Sequence, residues 1–420
     1  MNWLERSLTT LGRRAWFARN RGRFAAASGR RPRVLVDVSV IARNDARTGI
    51  QRVVRALWLE LSRRTHPTHD FVPVHAGIRH GYCYARWDAG EDRPTLTREV
   101  VRAEPGDSFL GLDLAAHYAP LCTDQLREWR AAGLHTTFVV YDLLPLLRPG
   151  WFNDQTVRHF ERWFETIVVH ADRLLCISDH VAQQVRERIA PDARPSVGRL
   201  HLSGDLTHSR PSTGMSPQVA HTLEAMEQHP TLLMVGTVEP RKGYAAALHA
   251  MERLWAAEPE TAPRLMIVGK AGWKTDDLQR QIREHAEHGR RLHWLEGVSD
   301  EALELAYDRA AALLLASRSE GFGLPLVEAT GYGKWVLARD LPVFREQGLT
   351  NVHYFVDDAP EPLADAVRLV MATATRAAPP VQRLPSWSEC ADRLLVELCV
   401  DPAPAQAGSN QASALLAAAQ

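Results

Sequence analysis

The chain has 420 residues, 45% of them hydrophobic and 24% charged, too long for one ordinary core and unlike a collagen or a wholly disordered protein. Lys+Arg and Asp+Glu each number 50, so the formal charge of zero gives no global case for a nucleic-acid binder. The zero is uneven, because residues 1–33 hold nine arginines against Glu5 and the rest of the chain is correspondingly acidic.

Residues 1–32 form a basic segment. Leu4, Leu8, Leu11 and Ala15 follow helical spacing in it, with Trp3, Trp16 and Phe17 nearby. Two readings stand: a segment lying on an anionic membrane surface through residues 1–30, or a solvated basic tail. Gly12 weakens a single long helix. No stretch approaches the roughly 20 apolar residues that span a bilayer, and the basic start lacks the apolar region of a secretory signal. The expectation is a cytoplasmic protein, peripheral on the inner face of the plasma membrane where the basic segment binds.

From residue 33 the pattern is strand, Gly-bearing loop, helix, repeated. Val34–Val38 reads as a buried strand. After a polar loop, Ile50, Val53, Val54, Leu57 and Leu61 mark one face of a helix entered through Gly49. Phe109–Leu112, Thr137–Tyr141 and Arg173–Ile177 are further strands, with Ser178 as the N-cap of the next helix. Ser203 to Ser216 reads as a linker. The alternation restarts at Thr231–Val235 and continues through Arg264–Val268, Arg291–Leu295, Ala311–Ala316 and Trp335–Ala338. Two such series predict an α/β protein with two parallel-sheet domains, ligands gathering at the carboxyl ends of the strands. The expected division is 33–208 and 217–385, with 386–400 returning to the first domain and 401–420 disordered. The five cysteines are scattered without a Cys-x-x-Cys pair, which argues against a disulfide scaffold or a structural zinc site, and Cys176 reads as a buried thiol.

Two loops concentrate chemistry. Ser317–Ala329 contains Glu320, Gly321, Phe322, Gly323, Leu324 and Glu328 between a strand and a helix whose first turn holds Pro325. Its glycines let a ligand approach the backbone, and two carboxylates at this spacing can accept from two sets of hydroxyls. The blander reading, complementing the helix dipole for about 0.3–1 kcal/mol each, explains Glu328 but not the paired glycines. Gly236–Gly243 places Arg241 and Lys242 at another strand end, fit for a phosphate or for plain solvent. Neither loop is a P-loop or a dinucleotide fingerprint.

These residues resemble the retaining glycosyltransferases of family 4, with the two-Rossmann GT-B fold, over roughly residues 33–400. Glu320 and Glu328 match the family's Glu-x7-Glu motif. Glu239–Gly243 is similar to its diphosphate loop, Gly297–Leu303 with Val298 to the nucleotide-base segment, and Thr48-Gly49-Ile50 to the N-domain phosphate loop. Val268–Trp273 resembles a variant of bacterial polysaccharide mannosyl- and rhamnosyltransferases.

The resemblance implies transfer of a hexose, plausibly mannose from GDP-mannose, with UDP- and TDP-linked donors also open. The acceptor would be a surface polysaccharide or a lipid-linked oligosaccharide. It implies no cofactor, no nucleic acid and no metal; no Asp-x-Asp motif of the metal-binding kind is found. Lys242 and Glu320 are the implied catalytic residues. Gly49, Arg241, Lys242, Val298, Glu320 to Leu324 and Glu328 would hold the donor. Tyr141 and Asp142 would lie on the acceptor side, whose pocket would come from N-domain loops, largely residues 41–48, 75–95 and 141–156. Thr237 and Tyr141 replace an arginine and a histidine common in the family. A nucleotide-sugar-binding, complex-organising protein with little turnover therefore stays open as an alternative, and an NAD-dependent oxidoreductase as a third reading.

Overall fold

The computed structural model describes residues 30–77, 80–87, 93–206 and 211–398. The basic segment up to residue 29, Cys399 and the 401–420 tail lie outside the described residues.

The first sheet has eight strands: β1 (Arg33–Asp37), β2 (Asp70–Gly77), β3 (Gly81–Arg86), β4 (Thr95–Val100), β5 (Ser108–Gly111), β6 (His135–Val140), β7 (Arg173–Cys176) and β8 (Ser196–Arg199). Their order is β4-β3-β2-β1-β5-β6-β7-β8, parallel except where β3 meets β2 and β4. Its helices are α1 (Gly49–Arg63), α2 (Thr123–Ala131), α3 (Leu144–Leu147), α4 (Asp154–His170) and α5 (Asp179–Arg188).

The second sheet joins β9 (Thr231–Val235), β10 (Arg264–Val268), β11 (Leu292–Leu295), β12 (Ala312–Leu315), β13 (Trp335–Arg339) and β14 (Val352–Phe355). All six are parallel, in the order β11-β10-β9-β12-β13-β14. Around them lie α6 (Pro217–Glu224), α7 (Tyr244–Ala257), α8 (Asp276–Glu284), α9 (Asp300–Arg309), α10 (Leu324–Gly331), α11 (Pro342–Arg345) and α12 (Pro360–Arg376). The last helix, α13 (Trp387–Glu397), packs back on α1 of the first domain.

Both sheets are covered on two faces, so their strands read as apolar runs rather than alternating ones. Side chains of β1 point alternately up and down. Val34 and Val36 join Val53, Leu57, Leu394 and Leu395 of α1 and α13, while Leu35 joins Phe109, Phe138 and Trp163 on the other face. Ser178 caps α5 as its position predicts, its hydroxyl accepting from the Val181 N–H.

Strands β2, β3, β4, β8 and β14 were not expected from the pattern. Pro73 inside β2 argues against a central strand, yet it sits opposite Val36 where β2 pairs only with β1; β3 joins from Val74 onward. The 75–95 stretch is therefore not an open acceptor loop: His75–Gly77 and Gly81–Cys83 pair as a hairpin.

Candidate active site

Three segment ends converge between the sheets. After β9, Gly236 turns the chain with φ 137° and Pro240–Lys242 forms one turn of 3-10 helix. Gly243, at φ 72°, then opens α7. A Cβ on Gly243 would lie 2.3 Å from the Ala316 carbonyl oxygen, so only glycine lets this loop press on the end of β12. The loop's return contact is Arg318 N–H donating to the Arg241 carbonyl at 2.7 Å. Across the cleft, the N-terminus of α1 faces that of α10. A Cβ on Gly49 would stand 3.0 Å from Leu324 Cδ1, and one on Gly321 would stand 2.1 Å from the Tyr141 carbonyl oxygen.

In that space Glu320 accepts from Lys242 Nζ at 2.6 Å and from Arg241 Nη1 at 2.7 Å. Arg241 Nη2 also pairs with Glu239 at 2.8 Å. Burial pushes the Glu320 carboxyl up, but Arg241 and Lys242 more than offset it and hold it at about 2. Glu239 goes the other way: burial outweighs the same two cations and raises it. Asp142 is likewise raised by burial, and Glu320 adds to the effect against the pull of Arg241 and Lys242. Two half-buried cations thus hold one carboxylate firmly ionised and two others less so.

Glu328 lies on α10, its side chain 2% exposed, and accepts from Arg52 Nη1 at 2.8 Å and from the Tyr307 hydroxyl at 2.6 Å. Tyr307 is stacked on Tyr332, centroids 5.4 Å apart. Asp300, in the first turn of α9 behind its Ser299 cap, accepts from Arg47 Nη1 and from the Ser212 N–H and hydroxyl, each at 2.9 Å. Val298 packs partly buried beside the cluster on that face of the second sheet. The rim is closed by Lys270 Nζ to the Ala46 carbonyl at 2.9 Å and Trp273 Nε1 to the Trp151 carbonyl at 2.7 Å.

The structure therefore brings Gly49, Arg241, Lys242, Glu320 to Leu324 and Glu328 to one cleft. Tyr141 belongs elsewhere. Its hydroxyl donates to the Leu112 carbonyl at 2.8 Å inside the first domain's core, which removes it from an acceptor role; only its backbone carbonyl meets the cleft. Asp142 caps a turn, accepting from the Leu144 N–H at 2.9 Å, yet faces the Arg241–Lys242–Glu320 cluster. Arg47, Arg52, Tyr307 and Asp300 enter the site without having been singled out. Arg52 is three residues past Gly49 on α1, which was a usable signal; Tyr307 carried none, because its partner lies 21 residues away on another helix. Among the described residues no three His, Cys, Asp or Glu side chains converge as a metal site.

The architecture has solved counterparts. Sucrose-phosphate synthase from Thermosynechococcus elongatus superposes with a TM-score of 0.58 at 13% identity, covering 89% of this chain and 95% of that one. Anabaena HepE, solved with UDP and glucose, superposes at 0.55 and 12% identity over 88% and 96%. The fold is GT-B.

In sequence, residues 220–379 of this GT-B chain match the family described as glycosyl transferases group 1. The serotype-specific mannosyltransferase WbdA of Escherichia coli is 39% identical over 370 residues, 84% of this chain but 44% of the relative. The chain thus spans less than half the length of the WbdA proteins it matches.

Proposed function

We propose that the chain is a metal-independent, retaining glycosyltransferase of family 4 that moves mannose from GDP-mannose to a polysaccharide or lipid-linked oligosaccharide acceptor. The reading is carried by one observation: Glu320 sits between Lys242 and Arg241 where the N-termini of α1 and α10 face each other. The mannosyl assignment leans on the relationship to WbdA.

Breaking the bond between a sugar and a diphosphate leaves positive charge at the anomeric carbon and negative charge on the departing phosphate. Fixed cations and helix-terminal N–H groups stabilise that negative charge without reorganising. Lys242 and Arg241 supply the cations, and the free N–H groups at the starts of α1 and α10 supply the dipoles. An arriving diphosphate competes for both cations and releases Glu320 oxygens to accept from sugar hydroxyls. Glu328 retains lone pairs beyond those used by Arg52 and Tyr307, enough to accept from a ribose. With Glu328 this buried and Gly321 against Tyr141, the donor enters only when the two domains part.

The test is transfer of radiolabelled mannose from GDP-mannose, against UDP- and TDP-sugars, to lipid-linked and free glycan acceptors. Wild type above a Glu320→Ala background supports the reading. Equal background across the whole panel sinks it in favour of a binding protein. For the basic segment we propose contact with anionic lipid on the inner face of the plasma membrane. Equal liposome co-sedimentation with and without residues 1–30 would refute that contact.

A further inference from the structure

Two tryptophans from different domains meet at the rim of the cleft, Trp273 in the loop after β10 and Trp151 in the turn after α3. The Trp273 indole N–H donates to the Trp151 carbonyl at 2.7 Å, and Lys274 Nζ beside it donates to the Gly150 carbonyl at 3.0 Å. The buried Phe152 packs its ring on Trp273 at a tilt of 34°, centroids 6.0 Å apart. Both acceptors in this join are backbone carbonyls, so it fixes the path of the 149–152 turn without using the Trp151 side chain. That indole is half-buried and makes no hydrogen bond or ring contact among the described residues.

Each indole is tied closely to the cation cluster. A Cβ on Gly272 would lie 2.3 Å from the Val238 carbonyl oxygen, and the Val238 N–H donates to the Lys270 carbonyl at 2.9 Å. The Thr275 hydroxyl donates to the Val238 carbonyl at 2.7 Å. Trp273 is thus pinned from both sides to the loop whose next residue, Glu239, pairs with Arg241. In the first domain the chain runs from Asp142, which faces Arg241, Lys242 and Glu320, through α3 to Trp151.

A hexopyranose has an apolar face of C–H bonds and an edge of hydroxyls. The face of an indole suits the first and its N–H can donate to the second. Tryptophan also offers this area rigidly, at little cost in conformational entropy.

We propose that Trp151 and Trp273 form an acceptor subsite, a two-indole seat for an uncharged hexopyranose of the growing glycan, complete only while the two domains are joined. It rests on the reading of the cleft as a sugar-transfer site. Trp273 supplies a platform from the second domain, its edge fixed by the Trp151 carbonyl and its ring braced by Phe152. Trp151 supplies a second face and an Nε1–H that has no protein partner among the described residues. Because the seat is split between domains, the acceptor favours the closed arrangement and is released when the cleft opens.

Ligand-observed NMR titration of the full chain with mannotriose, GDP being present, tests the seat, with mannitol as a control that has the hydroxyls but no ring. Wild type should bind mannotriose at millimolar concentration and mannitol at least tenfold more weakly. Trp151→Leu, which keeps the carbonyl that Trp273 bonds, should weaken mannotriose binding about tenfold while GDP affinity stays within twofold of wild type. Trp151→Gln, which also leaves that carbonyl in place, carries the test if the leucine variant misfolds. In transfer assays the same variant should raise the acceptor KM about tenfold with kcat and the donor KM little changed, a split that loosening of the fold does not produce. Mannotriose binding that is absent in wild type, undiminished in the variant or matched by mannitol would overturn the proposal. Equal loss of GDP affinity would also overturn it, since the indole would then serve closure rather than the acceptor. A chain that transfers nothing yet binds mannotriose through Trp151 keeps the seat and loses the transferase reading. Transfer with an unchanged acceptor KM in Trp151→Leu does the reverse.

Discussion

Arg52 Nη1 lies 2.8 Å from Glu328 Oε1 and joins the first helix of one domain to the site helix of the other across 276 positions of sequence. Burial disfavours the Arg52 charge, but Glu328, Tyr307 and Asp300 together keep it firmly protonated. The pair is therefore a domain clasp at the proposed donor site.

Removing one partner of a buried ion pair costs about 3–5 kcal/mol, because the other is left uncompensated. Arg52 is 18% exposed and Glu328 keeps the Tyr307 hydroxyl, so Arg52→Met should fall at about 2–3 kcal/mol by urea unfolding. A cycle with Glu328→Gln should give a coupling of about 1–3 kcal/mol. Additive single effects would show that the contact is incidental.

The Lys242–Glu320–Arg241 cluster predicts both activity and acid sensitivity. Lys242→Ala removes a preorganised cation and should lower transfer about 10²–10³-fold, and the fold loses part of the cluster's stabilisation while Arg241 keeps the rest. Glu320 is held at about 2, below the value near 4.5 expected of the unfolded chain, so the ionised cluster stabilises the fold above pH 4.5. That contribution, about 3 kcal/mol, is lost as pH falls toward 2. Glu320→Gln should flatten the acid limb of the stability curve between pH 4.5 and 2. An unchanged limb would mean that the two cations do not hold the carboxylate.

Sequence alone gave the parallel strands and the cleft residues their places because each has a local cause. Thr231–Val235 and Arg264–Val268 are apolar runs bounded by Gly or Pro, and their limits agree with β9 and β10. Lys242 and Glu320 follow the ends of β9 and β12, which pair as neighbours in the parallel sheet, and Glu328 is one helical turn further along α10. What escaped depends on distant partners. Arg52 looks like a surface arginine until Glu328 is placed opposite it, and Tyr141 looks like a cleft residue until the Leu112 carbonyl claims its hydroxyl. β2 escaped because its proline is permitted only by where β3 starts.

A slope of opposite sign is expected from the first domain. Asp37, at the end of β1, is raised to about 7, chiefly by burial and partly by Asp113, although Ser39 and Tyr82 hydrogen-bond it. Asp113, accepting from the Val40 and Ile41 N–H groups, is raised to about 6 by burial. The folded chain holds these protons more tightly than the unfolded chain. Their contribution is therefore fully present below pH 3.8 and declines as pH rises through 6 and 7. Asp37→Asn should lessen that decline between pH 4 and 7 in urea titrations. A decline identical to wild type would show that Asp37 ionises freely.

Gly321 and Gly269 distinguish closure from folding. Neither needs a positive φ; each is glycine because no Cβ fits, with 2.1 Å to the Tyr141 carbonyl oxygen at Gly321 and 1.9 Å to the Gly236 carbonyl oxygen at Gly269. The Gly321 contact lies between domains, so Gly321→Ala can relieve its clash by holding the cleft slightly open. A displacement of about 1 Å at a reacting centre costs on the order of 10²-fold in rate, so transfer should drop by that much while the melting temperature moves less than about 2 °C. The Gly269 contact joins the ends of β9 and β10 within one sheet and has no such escape. Gly269→Ala should lower the melting temperature by about 4 °C or more, as overpacking of about 1–3 kcal/mol does in a domain of this size. A Gly321→Ala protein that melts as early as Gly269→Ala would mean that the domains do not part there.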